Sequence, residues 1–145
     1  MLEKIIYKKK ILAIILSEKK YTKTKGIKFV TPDSFTLQLG FMNHPKSQII
    51  KPHTHRNYLR KINKTAEVLF VKSGVLRVDF YASKNKYLFS KILKRNSIAI
   101  LIEGSHGFKV IKKCSLIEIK QGPFNPLFDK TKFKEINESK VKIKK

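Results

Sequence analysis

Hydrophobic and polar residues alternate along the middle of this chain in short runs, divided by turn-forming residues. Residues 35–42 (FTLQLGFM) put Phe35, Leu37, Leu39 and Phe41 on one face and Thr36, Gln38 and Gly40 on the other, the two-residue period of a half-covered strand. Residues 75–81 (VLRVDFY) alternate in the same way, with Leu76, Val78 and Phe80 opposite Arg77 and Asp79. Residues 67–71 (EVLFV) are apolar on both faces, as expected of a strand covered on both sides. Between these two runs, Lys72-Ser73-Gly74 reads as a hairpin turn. Further strands are expected at 11–16, 27–31, 87–93, 98–102, 108–111 and 116–119, with turns at 31–34, 43–47, 82–86 and 94–97. No stretch of 65–120 has a helical period. Short strands at regular spacing predict an all-β fold, a sandwich or a barrel. The segment after Phe133 is polar and predicts a short or disordered C-terminal tail, giving one domain over 1–133 and a charged tail over 134–145.

Composition narrows this picture. With 145 residues and 41% hydrophobic content, one domain with a packed core is expected. The lone cysteine, Cys114, excludes an internal disulfide and a cysteine-rich zinc site, and its strand-like surroundings read as packing. The apolar run 11–16 follows four lysines, but it is shorter than a signal-peptide core and far too short to span a bilayer. A soluble, cytoplasmic protein with no membrane association is therefore expected. The formal charge is +23, yet only Arg56, Arg60, Arg77 and Arg95 among the 33 basic residues are arginines. Lysines spread evenly along a chain without a nucleic-acid-binding motif predict only non-specific, salt-sensitive contact with nucleic acid.

Candidate chemistry sits on three of the four histidines and one carboxylate. His53 and His55 flank Thr54, and on a strand residues two apart face the same way. Glu67 opens an apolar strand, where an unpartnered carboxylate costs several kcal/mol, so it calls for a cation or a donor. His106 stands between Gly104 and Gly107 at the end of another strand. His44, beside Pro45, reads as a surface residue. This order of residues resembles the cupin family: a His-x-His pair, then Glu67, six residues, Gly74, and a later histidine after a glycine-containing turn. The gap between His55 and Glu67 is eleven residues, much longer than the family motif, and 56–64 must then form a long loop. The run EVLFVKSGVLRVDFY with GSHGF, IEIKQGPF and DKTKF is similar to small bacterial cupins of surface-polysaccharide gene clusters.

The resemblance implies a cupin-type double-stranded β-helix, that is, a jelly-roll barrel. It also implies one divalent transition metal (Fe, Mn, Ni or Zn) held by His53, His55, Glu67 and His106, and commonly a homodimer. Imidazole and carboxylate donors suit such ions. Gln38, Arg56 and Phe108 are candidates for lining the pocket, Arg56 as a clamp for an anionic group. Tyr58 and Arg60 on the loop read as solvated, and Lys120, Gln121 and Pro123 as closing one end of the barrel. The expected function is an enzyme acting on a small anionic molecule, a sugar or sugar nucleotide of polysaccharide biosynthesis, by isomerase, epimerase or dioxygenase chemistry. A non-catalytic small-molecule-binding module and a basic nucleic-acid-binding barrel are the alternatives.

Overall fold

The computed structural model describes residues 3–21 and 23–145, with Lys20 as backbone only. Among the described residues the fold is all-β: eight strands and three single turns of 3₁₀ helix. β1 spans Glu3–Tyr7, β2 Lys10–Leu16, β3 Gly26–Phe29, β4 Gly40–Asn43, β5 Glu67–Ala82, β6 Lys86–Lys94, β7 Ile98–Leu101 and β8 Ser105–Lys120. Six of them form one antiparallel sheet in the order β1-β2-β7-β5-β6, with β8 paired along the other side of β5. β3 and β4 form a separate two-stranded sheet.

β5 organises the molecule. Its first residues, Glu67 to Phe70, pair with β7, and Val75 to Ala82 pair with β6. β8 runs beside almost all of it, from Glu67↔Lys120 to Tyr81↔Ser105. A straight strand would put Glu67 and Phe80 about 43 Å apart at about 3.3 Å per residue. The topology forbids that. Leu101 pairs with Glu67 and Ser105 pairs with Tyr81, and these two partners are only four residues apart in the chain. Four residues reach no further than about 14 Å. The two ends of β5 are therefore drawn together and the sheet is rolled.

The β5–β8 register slips between Val71 and Leu76, an irregularity that lets a strand bend. The Lys72-Ser73-Gly74 turn expected from the sequence is not a hairpin: the strand continues through it. Gly74 has φ +85°, and a Cβ there would sit 2.0 Å from the Lys113 carbonyl oxygen. Glycine is required because β8 passes that close and because L side chains disfavour this conformation. Similarly, 108–111 and 116–119 are parts of one long strand, and of 35–42 only the last three residues are paired, in β4 (Gly40–Asn43). The period-two face of that segment is nevertheless used: Phe35, Leu37, Leu39 and Phe41 pack together on one core cluster.

The core explains the burial of β2, β5 and β7. Ala13 and Ile15 join Leu69, Val71, Leu76, Val78, Phe80 and Leu101 in one cluster. Ile14 and Leu16 join Val68, Ile98 and Ile100 in the other, beneath Phe35, Leu37, Leu39 and Phe41. The 11–16 run is thus an interior strand covered on both faces. No helix among the described residues is long and apolar enough to cross a membrane. β8 is an edge strand, with Val110, Ile111, Leu116, Ile117 and Ile119 exposed.

The tail expected to be short or disordered runs back over the sheet. Ile136 N–H donates to the Tyr81 hydroxyl at 3.1 Å and Lys142 N–H to the Tyr87 hydroxyl at 2.9 Å. Ser90 N–H donates to the Lys142 carbonyl and Lys144 N–H to the Ser90 carbonyl, a parallel bridge to Ile143. Polar anchors hold this segment, so its hydrophobic pattern carried no sign of its docking.

Candidate functional site

Rolling β5 and β8 brings chemistry from opposite ends of a long antiparallel pair to one place. Glu67 is at the start of β5; His106 pairs with Phe80 near its end. Their side chains meet, with His106 Nε2 3.0 Å from Glu67 Oε2. The Glu67 side chain is 7% exposed and that of His106 27%. The buried carboxylate thus finds the donor it requires, and the imidazole keeps one side open to the cleft. The His106 hydrogen bond holds the Glu67 carboxyl below its ordinary value. Burial acts in the opposite direction, while the charges of His106, Lys130 and Lys120 reinforce the lowering. Phe108, two residues along β8, packs its ring 5.2 Å from the imidazole and orients it.

An open cleft of about 1000 Å³ surrounds the pair, bounded by β5, β8, the 102–104 turn and the 129–138 segment. Its charge differs from that of the rest of the chain. Of the ten acidic residues, six line it: Glu67, Asp79, Glu103, Asp129, Glu135 and Glu138. Lys64, Arg77, Lys109, Lys120, Lys130 and Lys132 oppose them, also six. Most are paired directly. Arg77 binds Asp79 through Nε at 2.8 Å and Nη2 at 3.0 Å, and Glu138 through Nη1 at 2.8 Å. Glu103 takes Lys10 and Lys64 on its two oxygens, each at 2.8 Å, and Asp129 takes Lys120 at 3.5 Å. A chain of formal charge +23 has therefore assembled a cleft whose charges nearly balance.

The four residues of the expected metal set fall into two groups. Glu67 and His106 are joined as described. His53 and His55 lie in the exposed segment between β4 and β5, outside the cleft lining, with ring centroids 5.3 Å apart. His53 Nδ1 is 3.0 Å from its neighbour Lys51's carbonyl oxygen. Among the described residues, no group of three or more His, Cys, Asp or Glu side chains is arranged to hold a metal ion. The residues as placed thus offer two donors facing each other rather than a four-donor cage.

Of the expected pocket residues, only Phe108 lines the cleft. Gln38 is consumed locally: its Oε1 accepts from the Thr31 hydroxyl at 2.7 Å, and its Nε2 donates to the Pro32 and Phe35 carbonyls at 2.9 and 2.8 Å. Arg56 is exposed on the 44–64 segment, and Arg60 stacks on Tyr58 at 3.8 Å. Gln121, just beyond β8, donates to the Thr36 hydroxyl and accepts from Ala66 N–H. Sequence reasoning missed Arg77, Asp79 and Glu138. The alternation of β5 marked the first two as facing away from the apolar side, but the partner from the distant tail carried no local signal. Compared with known proteins, the chain matches no family model, no curated protein and no solved structure.

Proposed function

We propose that this chain is a cupin-type protein that acts on one small polar molecule in the cleft, with Glu67 and His106 as its reacting pair. The observation that carries the reading is the 3.0 Å contact between a buried carboxylate and a half-open imidazole inside a charge-balanced cleft. A carboxylate that orients an imidazole, which in turn faces a substrate, is an arrangement for moving a proton. Isomerisation or epimerisation of a hydroxy-carbonyl compound needs that step: a proton leaves the carbon beside the carbonyl and returns to the neighbouring carbon or the opposite face. The paired charges favour a substrate with several hydroxyls and one anionic group, such as a sugar phosphate or sugar nucleotide, over a long polyanion. The overall positive charge raises the encounter rate with such anions.

The experiment is exchange of substrate hydrogen with solvent. The full chain is incubated with phosphorylated aldoses and ketoses in deuterium oxide, and deuterium at the carbon beside the carbonyl is read by NMR. Incorporation by the wild type, reduced about 100-fold or more in His106→Ala, supports the reading. No incorporation in any compound overturns it. A metal-dependent form of the same reading adds His53 and His55 as donors, favoured by their adjacent imidazoles. Elemental analysis of the purified chain separates the two: a stoichiometric metal that is lost in His53→Ala selects the metal-dependent form.

A further inference from the structure

The same cleft holds a second set of paired charges, built on Arg77 and Asp79 of β5. Arg77 is 5% exposed, and its Nε and Nη2 are committed to the two oxygens of Asp79, itself 3% exposed. Ser90, fully buried, also donates to Asp79, so this carboxylate is fixed. Nη1 of Arg77 remains, and it donates to Glu138 Oε2 at 2.8 Å. Lys109 Nζ lies 2.9 Å from Oε1 of the same carboxylate. Two cations thus grip one oxyanion, one oxygen each. The cations stand on β5 and β8, paired with each other across the ladder, whereas the carboxylate comes from the tail and is 59% exposed. Arg77, Lys109 and Glu138 all line the cleft. The grip is strong enough to bring the Glu138 carboxyl down to about 2, through hydrogen bonds from Arg77 and Lys109.

We propose that Arg77 and Lys109 form the oxyanion subsite of the cleft, which Glu138 of the chain's own tail fills in this structure and from which the phosphate or carboxylate group of the small molecule displaces it. This rests on the cleft being a small-molecule site. The physical reason is complementarity. A buried guanidinium with one outward N–H and a neighbouring ammonium suit any flat or tetrahedral oxyanion. Left without an acceptor, that buried N–H carries a desolvation cost, so a competing oxyanion is drawn in when the tail carboxylate leaves. The tail is held independently at Ile136 and Lys142, so exchange at Glu138 does not require the whole segment to detach.

The test is titration of the full chain with inorganic phosphate and, separately, acetate at constant ionic strength, following the backbone amide signals of Arg77 and Lys109 by NMR. Glu138→Ala is expected to bind one of these anions at least tenfold more tightly than the wild type. Glu138→Gln, which keeps one neutral acceptor in place, is expected to fall between the two. Adding Lys109→Ala to Glu138→Ala returns the affinity to the wild-type level, whereas adding Lys46→Ala, an equal loss of charge on an exposed turn outside the cleft, leaves the gain intact. Whichever anion gains more identifies the substrate group. Equal affinity of wild type and Glu138→Ala for both anions overturns the proposal, as does an equal loss on removing Lys46 or Lys109. Neither result depends on proton transfer at Glu67 and His106, so failure here and failure of the proposed reaction are separable.

Discussion

Two pairs of residues with similar chemistry occupy opposite situations in this molecule. Glu67 and His106 are 39 positions apart in the chain, yet strand pairing brings them within 3.0 Å of each other. His53 and His55 are almost adjacent in sequence, and their rings are neighbours for that reason alone. The first pair is held by β5, β7 and β8, each fixed in register by its ladder. The second stands on an exposed segment lacking strand pairing. Proximity in the first case is a product of the whole fold. In the second it is a property of a tripeptide. A site able to hold a fixed geometry through a reaction belongs to the first kind.

The comparison is broken most severely at the bend. Gly74→Val places a side chain against the Lys113 carbonyl in a left-handed conformation, where nothing can move aside cheaply. A loss of more than about 3 kcal/mol in urea unfolding is expected, and the Glu67–His106 contact should go with it. Arg77→Ala comes next. It leaves Asp79 buried without its cation, a change of about 3–5 kcal/mol, read in the same unfolding experiment. Glu67→Gln costs less, about 1–3 kcal/mol, because one charged hydrogen bond is weakened at a half-open site. His53→Ala and His55→Ala should each change stability by no more than about 0.5 kcal/mol, since their side chains are exposed. A larger loss in either would show that the 44–64 segment is fastened to the body.

Acid probes the same contrast at the tail. The folded Glu138 carboxyl titrates at about 2, below its ordinary 4.5. A lowered folded value means that the attachment contributes fully above the ordinary value and is lost as pH falls toward about 2. Hydrogen exchange at Lys140 and Val141, whose N–H groups bond within the turn that carries Glu138, should therefore accelerate relative to each amide's intrinsic rate across this acid range in the wild type. The added acceleration should be absent in Glu138→Ala.

Much of the fold was legible, and the limits of that legibility have physical causes. Alternation exposed the all-β class, because period two is a local property of a covered sheet, and an unbroken apolar run marked the strand at 11–16. The buried carboxylate at Glu67 announced its need for a partner. What the sequence did not separate was a hairpin from a bulge at Gly74, since both use glycine for the same positive φ. The rolled β5–β8 ladder, the docking of the tail on Tyr81, Tyr87 and Ser90, and the gathering of six carboxylates in one cleft are long-range facts. They depend on which strands become neighbours, and no window of residues contains that. Gln38 was expected at the pocket from its place on the alternating 35–42 run, and Arg56 from its place on the long loop beside the histidines. In the fold, Gln38 serves its own turn and Arg56 faces outward.

The most direct test is a double-mutant cycle between Glu67 and His106, using Glu67→Gln and His106→Ala singly and together, with unfolding free energy in urea as the readout. A coupling of about 1 kcal/mol or more is predicted, as expected of residues in contact within a charged hydrogen bond. Effects that add within about 0.3 kcal/mol would mean that the two side chains do not meet in solution, and the rolled-sheet site would be contradicted.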